Sequence, residues 1–514
     1  MKKLSLCLLS ALLIAFSFPT ILFETAIPNL GFLAWFGLVP FICAIYDETP
    51  RRAFLYGFFT ALLYFYISIY WIYIAIHYFG DVSPLLSFLP VLLLATYMAI
   101  CVGLAALLAR LFTQKTKGEF LIWFPIFFTL FEWARNYTPF GGFPWPNLAN
   151  SQNQYTPLIQ FADITGVYGV IFLLAWVNVY WAELILKFQK RDIAFFIPKT
   201  VFTIFLCAAV TVYGFSQIKN MEEKIAAAPH LNVGLIQPNI SQGEKFSVEY
   251  LEKQKKIFRN AVQSLQMVAD IIIWPETAWF ETPHISRLQL NPEWLGVTKQ
   301  KEERPYSLVG LTTYFFEGEE AKYYNSAFLT DAVGNVLGKY HKSHLVPFGE
   351  YVPWKKLFYF LSPVAAIGDF QTGESWEPLS LGKWKVAPLV CFENIFPEIS
   401  RTFVKNGAHF LANISNLAWY ENSSGVPQHL SFSPFRAIEN RRAFVGATNT
   451  GISAVIDPIG RVVNRAPLFT QSTIVHRIPL LEENSVYTKL GDWFIVALLL
   501  FAAWQGIALK CRKN

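Results

Sequence analysis

Three apolar runs in this chain each end on a residue able to do acid–base or nucleophilic work. They are Ile273-Trp-Pro-Glu276-Thr, Tyr340-His-Lys342-Ser-His and Leu389-Val-Cys391-Phe-Glu393. A carboxylate, an ammonium and a thiol gathered in one pocket make a complete set for acyl transfer. Glu276 takes the thiol proton, Cys391 attacks a carbonyl carbon, and Lys342 stabilises the developing oxyanion. The Lys342 charge is also expected to lower the thiol pKa. Taken singly, each residue has a plain structural reading. An apolar-flanked cysteine can be inert core, Glu276 after Trp-Pro can open a helix, and Lys342 can be a solvated loop cation. His341, His344 and His429 read as packing or hydrogen-bonding residues. No Cys-x-x-Cys or His/Cys spacing suggests zinc, and the chemistry asks for no cofactor. It is the appearance of all three, in this order on successive strand ends, that lifts the set above its parts.

The elements that must position these groups alternate in type. Strands are expected at 232–237, 271–274, 307–312 and 324–329, with a turn at Asp331-Ala-Val-Gly334 followed by 336 and the segment 339–344. The β-branched run before Cys391 is another strand, and Pro397-Glu398 opens a helix behind it. A further strand at 409–414, a helix at 435–443 and a strand at 453–456, closing on Asp457-Pro-Ile-Gly460, complete the series. A helical period covers 248–268. Strands alternating with helices imply a layered α/β fold with its sheet covered on both faces.

That polar region is an insert in a very apolar chain. Of 514 residues, 54% are hydrophobic and only 15% charged, which excludes an ordinary soluble protein. Apolar stretches of spanning length are read at 4–22, 30–46, 53–77, 86–111, 120–135, 163–187, 195–215 and 490–509. The first is expected to be an uncleaved helix, because no small-x-small cleavage site follows it. Lys2 and Lys3, Arg51 and Arg52, Arg110 with Lys115 and Lys117, Lys187 with Lys190 and Arg191, and Lys510, Arg512 and Lys513 collect on one side. The alternate loops carry Glu24 and Asp81 and almost no cations. Both termini are therefore expected in the cytoplasm, and the inserted domain on the far face of a bacterial inner membrane, the periplasm. Four cysteines (Cys7, Cys43, Cys101, Cys207) fall in spans and Cys511 follows the last, so Cys391 is the one thiol of the insert. In the loop after the fifth span, Thr138-Pro-Phe-Gly-Gly-Phe-Pro-Trp-Pro146 is expected to anchor at the headgroup layer, alone or while also shaping a lipid-facing mouth, and Arg135 to snorkel or meet headgroups.

Trp274-Pro-Glu-Thr, Gly338-Lys-Tyr-His-Lys, Pro347-Phe-Gly-Glu350 and Cys391-Phe-Glu393 resemble the Glu-Lys-Cys nitrilase superfamily. Within it, the eight spans, His344-Leu-Val-Pro-Phe-Gly-Glu-Tyr-Val-Pro353, Gly142-Phe-Pro-Trp145 and Ala447-Thr-Asn-Thr-Gly-Ile-Ser-Ala-Val-Ile456 look like the apolipoprotein N-acyltransferases. The resemblance implies a four-layer αββα nitrilase-like domain (228–482) inserted in an all-α bundle of eight transmembrane helices: seven in 1–220, the eighth with a cytoplasmic tail in 488–514. It implies that the sn-1 chain of a phospholipid, typically phosphatidylethanolamine, is held on Cys391 as a thioester. The N-terminal amine of an S-diacylglyceryl-cysteine lipoprotein then takes it. Glu276, Lys342 and Cys391 match the base, the oxyanion lysine and the nucleophile, and Glu350 and Glu393 match further active-site carboxylates. Asn416 matches an essential Asn. Phe246 stands where a Trp is usual and Phe392 where a Tyr is frequent, while Trp419 lies in Ser415-Asn-Leu-Ala-Trp-Tyr-Glu421, a changed Ser-Asn-Asp-x-Trp-Phe-Gly. These positions, with Tyr351, are expected to contact substrate. Tyr351 opens an aromatic stretch, 351–361, that reads as a packed helix or as a lid admitting lipid. A monomer is expected, with no nucleic-acid partner. The competing readings are a membrane-tethered amidase or nitrilase hydrolysing a C–N bond, and, more weakly, a transporter or inactive scaffold.

Overall fold

The computed structural model describes residues 2–116, 119–189, 197–245, 247–297, 305–354 and 369–511. Phe246 and most of the aromatic stretch after Tyr351 therefore lie outside the described residues. The chain divides into two compact units. One comprises Met1–Ile218, Asn422–Ser431 and Leu490–Asn514, the other Lys219–Glu421 and Phe432–Lys489.

The first unit is helical. Each expected span falls on a helix, although the limits move: the second lies in Gly31–Trp35 and Val39–Ile45, and the seventh, Ile197–Ala227, continues well past 215. Among the described residues, Pro84–Thr116, Val167–Phe188 and Ile197–Ala227 are long and apolar enough to cross a bilayer. Pro50–Ser68 and Trp71–Phe79, bent by 51°, form a fourth if taken as one span. Gly31–Ile45, Phe120–Ala134 and Trp493–Ala508 are apolar but shorter.

Two expectations for this unit are corrected. Arg135 neither snorkels nor reaches a headgroup layer: it is 0% exposed, ion-paired to Glu132 at 2.9 Å and bonded to the Pro146 carbonyl at 3.0 Å. A buried guanidinium needs its partners close, because an unpaired charge in apolar surroundings costs several kcal/mol. Trp145, expected at an interface, is also fully buried. Its indole N–H donates to Gln428 Oε1 at 2.9 Å, as does that of Trp71 at 3.2 Å, and the Gln428 amide donates to the Ser68 carbonyl.

The second unit holds two six-stranded sheets. In chain order its strands are β1 (His230–Gln237), β2 (Ile271–Ile273), β3 (Tyr306–Glu317), β4 (Glu320–Thr330), β5 (Val336–His341), β6 (Leu379–Leu381), β7 (Trp384–Val390), β8 (Phe410–Ser415), β9 (Ala443–Thr448), β10 (Ala454–Ile456), β11 (Val462–Arg465) and β12 (Ser472–Pro479). One sheet runs β12-β1-β2-β3-β4-β5, the other β11-β10-β9-β8-β7-β6. Parallel pairing is confined to the centre of each, β1-β2-β3 and β7-β8-β9. There the paired residues are buried throughout, as parallel strands covered on both faces must be.

Helix α1 (Leu251–Leu265) places Phe258, Val262 and Leu265 on one face. They join Ile236, Ile272, Trp274, Val309 and Phe328 in a single core cluster, with Phe258 stacked on Trp274 at 4.8 Å. Burying each such side chain contributes about 1.5–3 kcal/mol. Helices α2 (Pro397–Lys405) and α3 (Gly425–Asn440) follow strands of the second sheet. The helix expected at 435–443 starts at Gly425 and ends at Asn440, because Arg441 turns to φ +51° and the next residues enter β9. Four strands went unforeseen: β6, β9, β11 and β12.

The sheets meet at Gly310. A Cβ there would lie 2.3 Å from the Pro275 carbonyl, 2.8 Å from Glu276 Cα and 3.0 Å from Ile414 Cδ1, so only glycine lets the turn after β2 close down. The Gly310 carbonyl also accepts from Ala278 N–H at 2.7 Å. Gly310→Ala is therefore expected to push the Glu276 turn outward and slow acylation of Cys391 by about 100-fold, since misplacement near 1 Å has that effect. Single-turnover labelling would check it, with thermal unfolding as the control for folding.

Candidate active site

Each strand end delivers its group by a different device. Cys391 follows β7 with φ +52°, a conformation that costs a non-glycine residue about 1–3 kcal/mol and persists only where neighbours impose it. Those neighbours are identifiable. Asn413 Nδ2, on the adjacent β8, donates to the Leu389 and Cys391 carbonyls at 3.3 and 3.2 Å. Glu393 Oε2 accepts the Val390 N–H at 2.8 Å.

The other Glu393 oxygen gathers the strand end that carries Lys342. It accepts from Tyr340 Oη (2.6 Å), Ser343 N–H (2.8 Å), Ser343 Oγ (2.9 Å) and His344 N–H (3.1 Å). With both oxygens saturated and the residue 0% exposed, Glu393 clamps the lysine and cysteine segments together. Burial pushes its pKa up, and the donors pull it back.

Lys342, 1% exposed, pairs with Glu350 Oε2 at 2.8 Å. Burial works against its charge, but Glu350, Glu276 and Cys391 outweigh burial and lift its pKa, so the ammonium persists. Glu350 also accepts the Val346 N–H at 2.8 Å. Glu276 is held on both oxygens, Oε1 by Asn325 Nδ2 at 2.7 Å and Oε2 by the Asn416 backbone N–H at 2.8 Å. The Cys391 thiol is hydrogen-bonded to the Glu276 carboxylate. Burial first, then the Glu276 charge, push the thiol up, and Lys342 does not win it back. The Lys342 charge lowers the thiol pKa as expected, but burial and the Glu276 charge outweigh it, and the resting sulfur keeps its proton. It is bonded to the group that can remove it.

The remaining expected residues divide. Asn416 sits in the network through its side chain as well, donating to Gln242 Oε1 at 2.9 Å and accepting from Asn449 at 3.0 Å. Phe392 is buried against His344 and Phe396. Its His344 neighbour is held neutral, its pKa brought down to about 4 by burial and by Lys342. Tyr351 is half-buried and offers its carbonyl to Phe348 N–H. Trp419 is 39% exposed, whereas the next residue, Tyr420, has its phenol raised by burial and by the charges of Cys391, Glu276 and Glu350.

Sequence reasoning missed Tyr420, Asn325, Asn413 and Lys245. Lys245 Nζ donates to the Glu276 carbonyl at 2.9 Å, and burial lowers its pKa to about 8 against the pull of Glu276 and Cys391. It also lines a cavity of about 240 Å³ beside the Glu276 turn, with Trp279, Phe280 and Thr312. The signal for Asn325 and Asn413 was present: each is an amide inside an apolar or aromatic strand, where Asn is disfavoured unless its side chain is used.

A buried thiol bonded to a carboxylate, beside a fixed ammonium at the ends of strands from two facing sheets, defines a carbon–nitrogen hydrolase. Residues 232–486 match the carbon-nitrogen hydrolase family model, and residues 10–180 match that of the apolipoprotein N-acyltransferase N-terminal domain. A curated apolipoprotein N-acyltransferase from Geobacter metallireducens is 37% identical, over 99% of this chain and 95% of its own. Those from Pasteurella multocida and Rickettsia bellii are 29% and 30% identical, over 94% and 89% of this chain and 92% and 88% of theirs. Among solved structures, Saccharomyces cerevisiae Nit3, of branch 10 of the nitrilase superfamily, aligns with 49% of this chain and 90% of its own at 18% identity and TM-score 0.37. The chain belongs to the apolipoprotein N-acyltransferase family, acyltransferases of the carbon–nitrogen hydrolase superfamily.

Proposed function

We propose that this protein moves the sn-1 acyl chain of a phospholipid, phosphatidylethanolamine in the first instance, to the N-terminal amine of S-diacylglyceryl-cysteine lipoproteins through a thioester on Cys391. The observation that carries the reading is the Cys391 thiol bonded to Glu276 in a site with a buried, charged Lys342. In the first half-reaction Glu276 takes the thiol proton as sulfur attacks the ester carbonyl, and Lys342 meets the negative charge that forms on oxygen. Collapse breaks the ester C–O bond, and the departing lysophospholipid oxygen receives the proton from Glu276. In the second, the neutral acceptor amine attacks the thioester and loses a proton to Glu276, which returns it to the departing sulfur. Glu350 holds Lys342, and Glu393 and Asn416 hold the frame. Phe392, Tyr351 and Trp419 form the wall met by acyl chain and acceptor. Water must be kept from the thioester between steps, which the 9% exposure of Cys391 favours.

The eight apolar stretches are taken as eight spans of the inner membrane: seven in 1–220, then the four-layer αββα domain of 228–482 on the periplasmic face, then the eighth in 488–514. Both termini are in the cytoplasm and the protein acts as a monomer. The charge asymmetry of the short loops is the support for orientation. The C–N hydrolase alternative fits the domain alone and leaves the matched helical region without purpose.

The test uses purified full-length protein and phosphatidylethanolamine labelled in its sn-1 chain. Label is expected on Cys391, sensitive to hydroxylamine, absent in Cys391→Ala, and chased onto a diacylated lipopeptide. Release solely as free fatty acid would make the protein a hydrolase.

A further inference from the structure

Glu276 and Glu350 are bridged by one side chain that none of the expected motifs contains. Asn325 lies on β4, between β3 and β5 in the sheet, and its carbonyl accepts the Lys342 N–H at 2.8 Å. Its side-chain amide donates to Glu276 Oε1 at 2.7 Å and to Glu350 Oε1 at 2.9 Å. The carboxamide can face the two carboxylates only with its nitrogen, which carries two hydrogens, since its oxygen would repel both. Facing them leaves Oδ1 buried with no hydrogen-bond partner among the described residues, in a residue 5% exposed. An orphaned acceptor of this kind costs about 1–3 kcal/mol. The orientation is therefore set by the carboxylates and not by the amide's own satisfaction.

Two carboxylates so close together ordinarily share a proton, because like charges raise the proton affinity of one of them. A protonated Glu276 cannot take the proton of Cys391. A donor given to each ionised carboxylate opposes that uptake. We propose that Asn325 is a positioning residue that keeps Glu276 and Glu350 ionised side by side, leaving Glu350 as the standing partner of Lys342 and Glu276 free to act as base. The other groups that bear on the pair are the Lys342 and Lys245 ammoniums and the Cys391 thiol, with Tyr420 and the neutral His344 at the margin.

The inference rests on the acyl-transfer reading only for its lipid arm. Wild type, Asn325→Asp and Asn325→Ser would be compared by the rate of Cys391 acylation from labelled phospholipid, and by alkylation of the Cys391 peptide with iodoacetamide, followed by mass spectrometry from about pH 5 to about pH 9. Asp at this position replaces the donor by a third negative charge, and Ser keeps at most one donor. Both are expected to move the acid limb of the two profiles upward, by about one pH unit or more for Asn325→Asp, with much of the rate regained on the alkaline side. Loss of rate by the same factor at every pH, or limbs that coincide with wild type, would overturn the proposal. Failure of wild type to accept acyl label would overturn the lipid reading and leave the alkylation arm to decide on Asn325.

Discussion

Glu276→Gln is expected to lower the rate of Cys391 acylation by about 1,000-fold at neutral pH, within the range that positioned general bases contribute. The size follows from the state of the sulfur. Because burial and the Glu276 charge push the thiol pKa up, the thiolate is scarce unless a neighbour removes the proton as the bond to carbon forms. Glutamine keeps the volume and can still accept from Asn325 through one oxygen. It has no second oxygen for the Asn416 N–H, and no basic lone pair for the thiol. The pH dependence should change in kind as well as in height. With the thiol pKa raised, the thiolate fraction grows as pH rises toward that pKa, so residual activity of the variant should climb steadily on the alkaline side, where wild type has levelled off. Quenched-flow labelling across pH would show this. A variant that labels at the wild-type rate would remove Glu276 from the role of base.

Glu393→Ala should be the most damaging change to stability. It strands five donors, three of them the backbone N–H groups of Ser343, His344 and Val390, in a place with no exposure to water. Orphaned buried donors cost about 1–3 kcal/mol each before relaxation, so a loss of about 3–5 kcal/mol is expected, comparable with breaking a buried charge network. Acylation should be lost as well, because the strand end bearing Lys342 and the turn bearing Cys391 are joined through this one carboxylate. Denaturant unfolding of the purified protein would measure the first effect and labelling the second. Glu393→Gln should fall between, since its oxygen can serve the Lys342 side while its amide opposes the Val390 N–H. Wild-type stability in Glu393→Ala would refute the clamp.

What could be read from the chain, and what could not, divides along physical lines. The strands carrying Glu276, Lys342 and Cys391 were legible because each is a short apolar run broken abruptly by a polar residue. The two-sheet arrangement was less so: β9 follows α3 after only Arg441 and Arg442, the first at positive φ, with no glycine or proline between the two elements to mark the change. Strands β11 and β12, with exposed faces, lack the buried pattern that marked the others. Asn325 bridges two carboxylates by virtue of cross-strand register, which is a property of pairing and not of local sequence. The lysine's pull on the thiol was legible because a nearby lysine is visible in a sequence, whereas the depth of burial that outweighs it is not. Arg135 was misjudged for the same reason, its partner Glu132 lying one helical turn back.

The segment Asn422–Ser431 has a practical consequence for anyone dividing the molecule. It belongs with the helices, where Ser424 Oγ accepts the Ile21 N–H at 2.9 Å and Gln428 takes the indoles of Trp71 and Trp145. A recombinant fragment cut at the hydropathy boundaries would carry this stretch away from every one of those partners, exposing apolar surface and idle amides. Expression trials on such a fragment would be testing a damaged object. A short polar graft in place of these ten residues is the sounder route to a water-soluble version.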